Sequence, residues 1–274
     1  MIDVKCSKRF LVPIFVALFL SSCGGPDAAQ FLDDALVGEH RTPAYAERDE
    51  FRHPKETLLF FGLKPESSVV EITPGFGWYA EILAPLLSAN GQYYYTSYTL
   101  DEDISPFFIE VEKAFKEKIE LNPDIYEKLT WVHFDPSQPA FAPDGPVDMV
   151  LTFRNVHNWA KAGTAESMFT GFAQALKPGG VLGLVEHRAK PGTPLEEQIG
   201  SGYMTVEYVV QLAKDAGFRL DASSEINANP KDTTDHPGGV WNLLPNLRNV
   251  ADEDKAAIMA IGESDRMTLR FVKE

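Results

Sequence analysis

From Ser68 onward the chain alternates short β-prone runs with segments of helical period, and this alternation limits the architecture more than any other feature. Val69 to Ile72 is a short, nearly apolar strand, followed by a helix over Gly77 to Leu87 with Tyr79, Ile82, Leu83 and Leu86 on one face. Gln92 to Tyr98 is an aromatic strand, and Ile104 to Ile119 returns to helical spacing through Phe108, Val111 and Phe115. Leu129 to Phe134 and Val147 to Phe153 read as two further strands. Met168, Phe169, Phe172 and Leu176 mark a helix closed by Lys177-Pro178-Gly179-Gly180, and Val181 to Val185 is a fully apolar strand. A helix through Val206, Val209, Val210 and Ala213 stops at Gly217, and the last β-prone runs are Phe218 to Ile226 and Met267 to Val272. Strands and helices that alternate at these lengths predict an α/β domain, doubly wound, with a mainly parallel sheet covered on both faces. Ligands of such sheets sit outside the carboxyl ends of the strands. The Pro- and Gly-containing stretch Asn227 to Arg266 is expected to lie over that edge, as an ordered insertion or a flap.

The N-terminus carries a different message. Lys5, Lys8 and Arg9 precede the apolar run Phe10 to Leu20, and Leu20-Ser21-Ser22-Cys23 follows, the layout of an export signal that is too short to span a bilayer comfortably. Leu-Ser-Ser-Cys also resembles the bacterial lipobox, which implies cleavage before Cys23 and lipidation of its thiol. An ordinary secretory signal with a chance cysteine is the alternative. The expected organisation is a lipoprotein signal peptide over 1–22, a polar, acidic tether over 23–43, and one domain over 44–274. Lipid anchoring at Cys23 places the domain in the periplasm at the cell envelope, and Gly24 after the cysteine favours the outer membrane. Cys6 would leave with the signal, so no disulfide remains, and the fold depends on its core. A chain of 274 residues, 44% hydrophobic, can bury such a core as one domain. Its formal net charge is −15, and loss of Asp3, Lys5, Lys8 and Arg9 with the signal takes it to about −17, which argues against nucleic acid as a partner.

The first strand hands over to its helix through Glu71-Ile72-Thr73-Pro74-Gly75-Phe76-Gly77. Glycines at such a handover let a ligand approach the backbone, and the start of the following helix supplies free N–H groups. With Asp148 opening the fourth strand and Leu176-Lys177-Pro178-Gly179-Gly180-Val181 leading into the fifth, the stretch from Ser68 to Phe218 resembles the class I S-adenosylmethionine (SAM) dependent methyltransferases. The likeness is greatest to a subgroup of exported methyltransferases of bacteria, with similar "FRNVHNW" and "VEHRA" segments. It implies a Rossmann-like, seven-stranded sheet whose final strand, Met267 to Val272, is antiparallel. It also implies SAM as cofactor, held by Glu71, Thr73, Pro74, Gly75 and Gly77. Two departures stand out. Thr73 replaces the family's first glycine, and the second strand lacks the acid that holds the cofactor's ribose, so Asp101 reaches back, or Ser97 or Tyr98 substitutes, or binding is weak. Asp135 matches the family position that contacts the adenine amino group; the alternative is a turn cap before Pro136.

Methyl transfer from a sulfonium needs an aligned nucleophile, exclusion of water and, for a protonated nucleophile, a base. His157 and His187 follow the fourth and fifth strands and are the candidate catalytic residues, with Glu186 or Asn155 able to orient a ring. Arg154 and Asn155 complete the expected cofactor crevice, and Arg154 or Arg188 could bind an acidic substrate group. Tyr203 is a further candidate. Asp232, Asp235 and His236 lie close in sequence but match no metal-binding spacing, so a polar loop is the expected role and no metal is assigned. The implied activity is a SAM-dependent methyltransferase acting on a small-molecule or lipid-like acceptor in the cell envelope. The alternative is a binding lipoprotein that has kept the fold without catalysis. An envelope hydrolase finds no support, as Gly-x-Ser-x-Gly is missing.

Overall fold

The computed structural model describes residues 28–100 and 104–274. The expected signal peptide, Cys23 and Asp101 lie outside the described residues. Seven strands form one sheet: β1 (Ser68–Ile72), β2 (Gln92–Tyr98), β3 (Leu129–Phe134), β4 (Val147–Phe153), β5 (Leu176–His187), β6 (Phe218–Ser224) and β7 (Arg266–Lys273). Their order is β3-β2-β1-β4-β5-β7-β6, with β7 antiparallel to both of its neighbours. This is the doubly wound, mainly parallel α/β fold that the alternation predicts. The order reverses between β1 and β4, which pair in parallel through Val69–Met149 to Ile72–Thr152. That reversal opens a crevice at the carboxyl edge.

The two faces bury separate cores. One packs β1, β4 and β5 against the helices Ala165–Ala175 and Val206–Asp215 through Met168, Phe169, Phe172 and Val209. The other packs the helices Pro54–Phe61 and Ala80–Leu87 through Leu58, Phe61, Ile82 and Leu83. Among the described residues no helix is long and apolar enough to cross a membrane.

Two expectations need correction. The described part of the expected tether is structured: Ala28–Leu36 is a helix whose Leu32 and Ala35 join the second core. Thr42 then donates its backbone N–H and its hydroxyl to Glu81, at 3.0 and 2.6 Å, and the buried Arg41 lies 3.4 Å from the same carboxylate. The folded body thus starts at least sixteen residues before Ala44, because amphipathic Phe31-Leu32 and Ala35-Leu36 have apolar surface to bury and Glu81 needs donors. The second correction is that Lys177 to Gly180 is not a turn outside the sheet. It forms the start of β5, as a bulge that shifts register between Val147–Leu176 and Met149–Val181, with Gly179 in the left-handed region.

Asn227 to Arg266 is an ordered insertion. Asn227 donates to Thr57 and Thr268, both at 2.9 Å, and Asn229 donates to the carbonyls of Ile261 and Glu263. The insertion carries Trp241 and Asn246 over the carboxyl edge of the sheet.

Candidate active site

A cavity of about 920 Å³ opens at the carboxyl edge, at the top of the range of about 300–1,000 Å³ usual for ligand pockets. Its floor is the loop after β1. Glu71, Thr73, Pro74 and Gly75 line it, and β2 fastens it from beside: Thr96 Oγ1 accepts from the Thr73 N–H at 3.1 Å and donates to the Glu71 carbonyl, while the Tyr95 hydroxyl donates to the Gly75 carbonyl. The two glycines of the loop do different work. Gly75 has φ +63°, and a Cβ there would meet no protein atom, so it faces open space. Gly77 has φ +78°, and a Cβ there would sit 2.5 Å from the Phe115 ring; it lies under the helix Pro106–Leu121 and serves packing instead of a ligand. Thr73 adopts φ +44°, unusual for a β-branched residue, and its buried hydroxyl has no partner.

The Glu71 carboxyl is fully buried and accepts the Tyr93 hydroxyl at 2.5 Å; burial pushes it up to about 8 despite that bond, so it is neutral at pH 7. Ser97 lines the cavity with its hydroxyl accepting from Trp131 Nε1 at 2.8 Å, and the Tyr98 hydroxyl accepts from Trp159 Nε1 at 3.1 Å. Asp135 is exposed and outside the cavity lining. Its carboxylate caps the Ser137 N–H at 2.7 Å, which lowers its pKa, the turn-cap alternative that its sequence allowed. Asn155 lines the cavity while its amide clips β1 to β4, donating to the Ile72 carbonyl at 3.0 Å.

The two histidines meet above this floor, with ring centroids 5.4 Å apart. Glu186, at the end of β5 and fully buried, organises both. One carboxylate oxygen accepts from His157 Nδ1 at 3.1 Å and from the His187 backbone N–H at 2.8 Å; the other accepts the backbone N–H of Val156 at 2.6 Å. With donors on both oxygens, the carboxylate acts as acceptor only and keeps the His157 proton on Nδ1. His157 Nε2, without a hydrogen bond among the described residues, is left with its lone pair toward the cavity. His187 Nδ1 pairs with Ser264 Oγ at 2.5 Å. Burial, and then the nearby His157 and Arg154, hold His187 well below its ordinary pKa, so it is neutral at pH 7.

Sequence reasoning named Arg154 and missed the rest of the cationic wall. Arg52, from the short helix Asp49–Arg52, is buried, lines the cavity and lies 4.5 Å from the Trp78 ring centre. Arg48, Arg52 and Arg266 all converge on one carboxylate, Glu263, at 2.6, 3.3 and 3.1 Å. Burial raises the Glu263 carboxyl, and the guanidiniums of Arg52, Arg266, Arg154 and Arg48 outweigh it, bringing it to about 2. Arg154 completes the wall, with φ +62° and no side-chain partner among the described residues. Nothing in the sequence announces that an arginine sixteen residues before β1 folds into the ligand crevice. Arg188, in contrast, points away, bound to Asp265 at 2.8 and 2.9 Å and to Glu225 at 2.8 Å.

The donor atoms of His157, Glu186 and His187 lie within 4.8 Å of one another, close enough for a metal ion. The chemistry disfavours one: both Glu186 oxygens already serve N–H donors, and a dication would sit beside Arg52 and Arg154. Asp232, Asp235 and His236 form a polar loop. Asp232 accepts from the Tyr203 hydroxyl at 2.9 Å and pairs with His236 at 2.9 Å, and Asp235 pairs with Lys190.

No protein-family description matches this sequence, and no curated protein matches it. Solved structures do. A SAM dependent methyltransferase from Aquifex aeolicus is 14% identical, with 91% of this chain and 100% of that one covered at a TM-score of 0.55. The glycopeptide N-methyltransferase MtfA, solved with S-adenosyl-L-homocysteine (SAH), is 15% identical, covering 85% and 99% at 0.51. The [4+2]-cyclase SpnF is 13% identical, covering 86% and 84% at 0.57. At these identities the likeness is one of fold. The presence of a cyclase beside methyltransferases shows that function must be argued from the site.

Proposed function

We propose that this chain is a SAM-dependent methyltransferase of the class I type, acting on a small-molecule or lipid-like acceptor at the cell envelope. The observation that carries the reading is the pairing of two features across one cavity: an open Gly75 floor with an orphaned Thr73 hydroxyl, and a carboxylate-held His157 facing it. MtfA, with a similar fold, holds SAH, the product that SAM leaves after methyl donation. The residues here fit that group. The Gly75 backbone leaves room for close approach, the Thr73 hydroxyl lacks a partner, and Ser97 and Tyr98 offer hydroxyls where an acid is missing at the end of β2.

When bound, SAM supplies an electrophilic methyl group. The chain's own part is to hold the acceptor in line, to exclude water beneath Trp241 and Asn246, and to take the acceptor's proton on His157 Nε2. Glu186 stabilises the imidazolium that forms, and neutral His187 beside it adds no opposing charge. Cys23 is the proposed lipid anchor, on the strength of Leu20 to Cys23.

Calorimetric titration of the whole chain with SAM and SAH tests the reading. Both should bind. His157→Gln should leave SAM affinity within a factor of a few and lower conversion of labelled SAM in envelope extracts by about a hundredfold, as loss of a general base does. Undetectable binding of both ligands would overturn the reading and favour a binding module without the cofactor.

A further inference from the structure

The cavity wall carries more positive charge than its carboxylates can balance. Three guanidiniums, those of Arg48, Arg52 and Arg266, share the single carboxylate of Glu263, and Arg154, which lines the cavity beside Arg52, has no carboxylate partner among the described residues. Glu71, the acid among the lining residues, is neutral at pH 7. Burial and like-charge neighbours pull Arg52 well below its ordinary pKa, and Arg48 and Arg266 are lowered as well. A guanidinium does not give up its proton in a protein, so these buried arginines keep their charge. The cofactor does not correct this. SAM carries a sulfonium, an ammonium and one carboxylate, a net positive charge, and it would add to the excess.

From this imbalance we infer that the methyl acceptor is an anion whose carboxylate, or similar acid group, docks on Arg154. The inference rests on the methyltransferase reading and narrows its substrate class. Arg154 is well placed to receive it, because the residue leaves the end of β4 in a left-handed conformation held by its own N–H to the Val185 carbonyl at 2.7 Å. Its planar fork can bind a carboxylate through two parallel bonds. Phe153 and Trp241 give the same cavity apolar surface for the body of an acid. The cofactor's carboxylate has the same chemistry as the acceptor's, so a test must separate them.

Three probes of one shape but different charge make that separation: benzoate, benzyl alcohol and benzylamine, titrated into the whole chain loaded with SAH. Benzoate should bind at least tenfold more tightly than benzyl alcohol, and benzylamine should not bind measurably. Arg154→Gln should weaken benzoate about tenfold and change SAH affinity less than twofold, with an unchanged melting temperature; Arg154→Lys should recover part of the loss. Equal binding of the three probes, or benzoate affinity unchanged in Arg154→Gln, would overturn the inference. So would a variant that loses SAH tenfold but keeps 5′-methylthioadenosine, which lacks the carboxylate, because Arg154 would then serve the cofactor. Should SAH fail to bind, the methyltransferase reading falls by itself. Benzoate selectivity in the unloaded chain, abolished by Arg154→Gln, would still support an anion site there, and its absence would overturn it.

Discussion

Glu71 shows how a single buried acid can tune the molecule. Its carboxyl titrates near 8 in the fold and near 4.5 when unfolded, so between those values the folded state binds the extra proton. Its contribution to stability is present in full below about pH 4.5, declines as pH rises, and is lost by about pH 8, a change on the order of a few kcal/mol. Glu263 works in the opposite sense: its carboxyl is held at about 2, and its contribution is present above about pH 4.5 and lost as pH falls toward 2. Glu71→Gln should therefore flatten the fall in melting temperature between pH 5 and 8.5. A variant with the full wild-type slope would show that another group governs this range. Both acids could be named from the sequence, but their titration could not be read there, because it depends on burial in the folded chain for Glu71 and, for Glu263, on arginines that include Arg48 and Arg52, more than 200 residues away.

At the scale of elements, the loop after β1 separates two functions that its sequence presents as one. Gly75 and Gly77 look equivalent in Pro-Gly-Phe-Gly, yet one faces open space and the other a phenyl ring. Gly77→Ala should cost about 1–3 kcal/mol by overpacking against Phe115, in addition to backbone strain, and appear chiefly as a lower melting temperature. Gly75→Ala also meets strain, about 1 kcal/mol, but should show a larger relative loss in SAM affinity than in stability. Equal losses of affinity at both positions would return Gly77 to the ligand site. The strands and most helices were legible because their period is local. The bulge of β5 was not, since its register is set against the neighbouring strand β4. Asp135 matched a motif by position, but its side chain turns to its own loop, a choice made by the local Asp-Pro-Ser geometry.

For the molecule as a whole, the N-terminal helix decides where the folded unit can be cut. A chain begun at Ala44 would lose Leu32 and Ala35 from the core and leave Glu81 without the two hydrogen bonds from Thr42. Burial of Leu32 alone is worth about 1.5–3 kcal/mol. The shortened chain should melt at least several degrees below one begun at Ala28, as measured by calorimetry; equal melting temperatures would restore 28–43 to the role of a spacer. The sequence hid this because the segment is small, polar and acidic on average, and its few apolar side chains matter only through the helix Ala80–Leu87 that receives them.

The helix Ala28–Leu36 also sets the length of a leash. Should Cys23 carry lipid as proposed, only four residues separate it from the first turn at Ala28, and those five residue steps span at most about 17 Å even when fully drawn out. A domain so tied cannot sample the compartment around it. It would roll on the bilayer surface like a moored boat on a short rope, meeting only what arrives at, or leaves, the lipid headgroups.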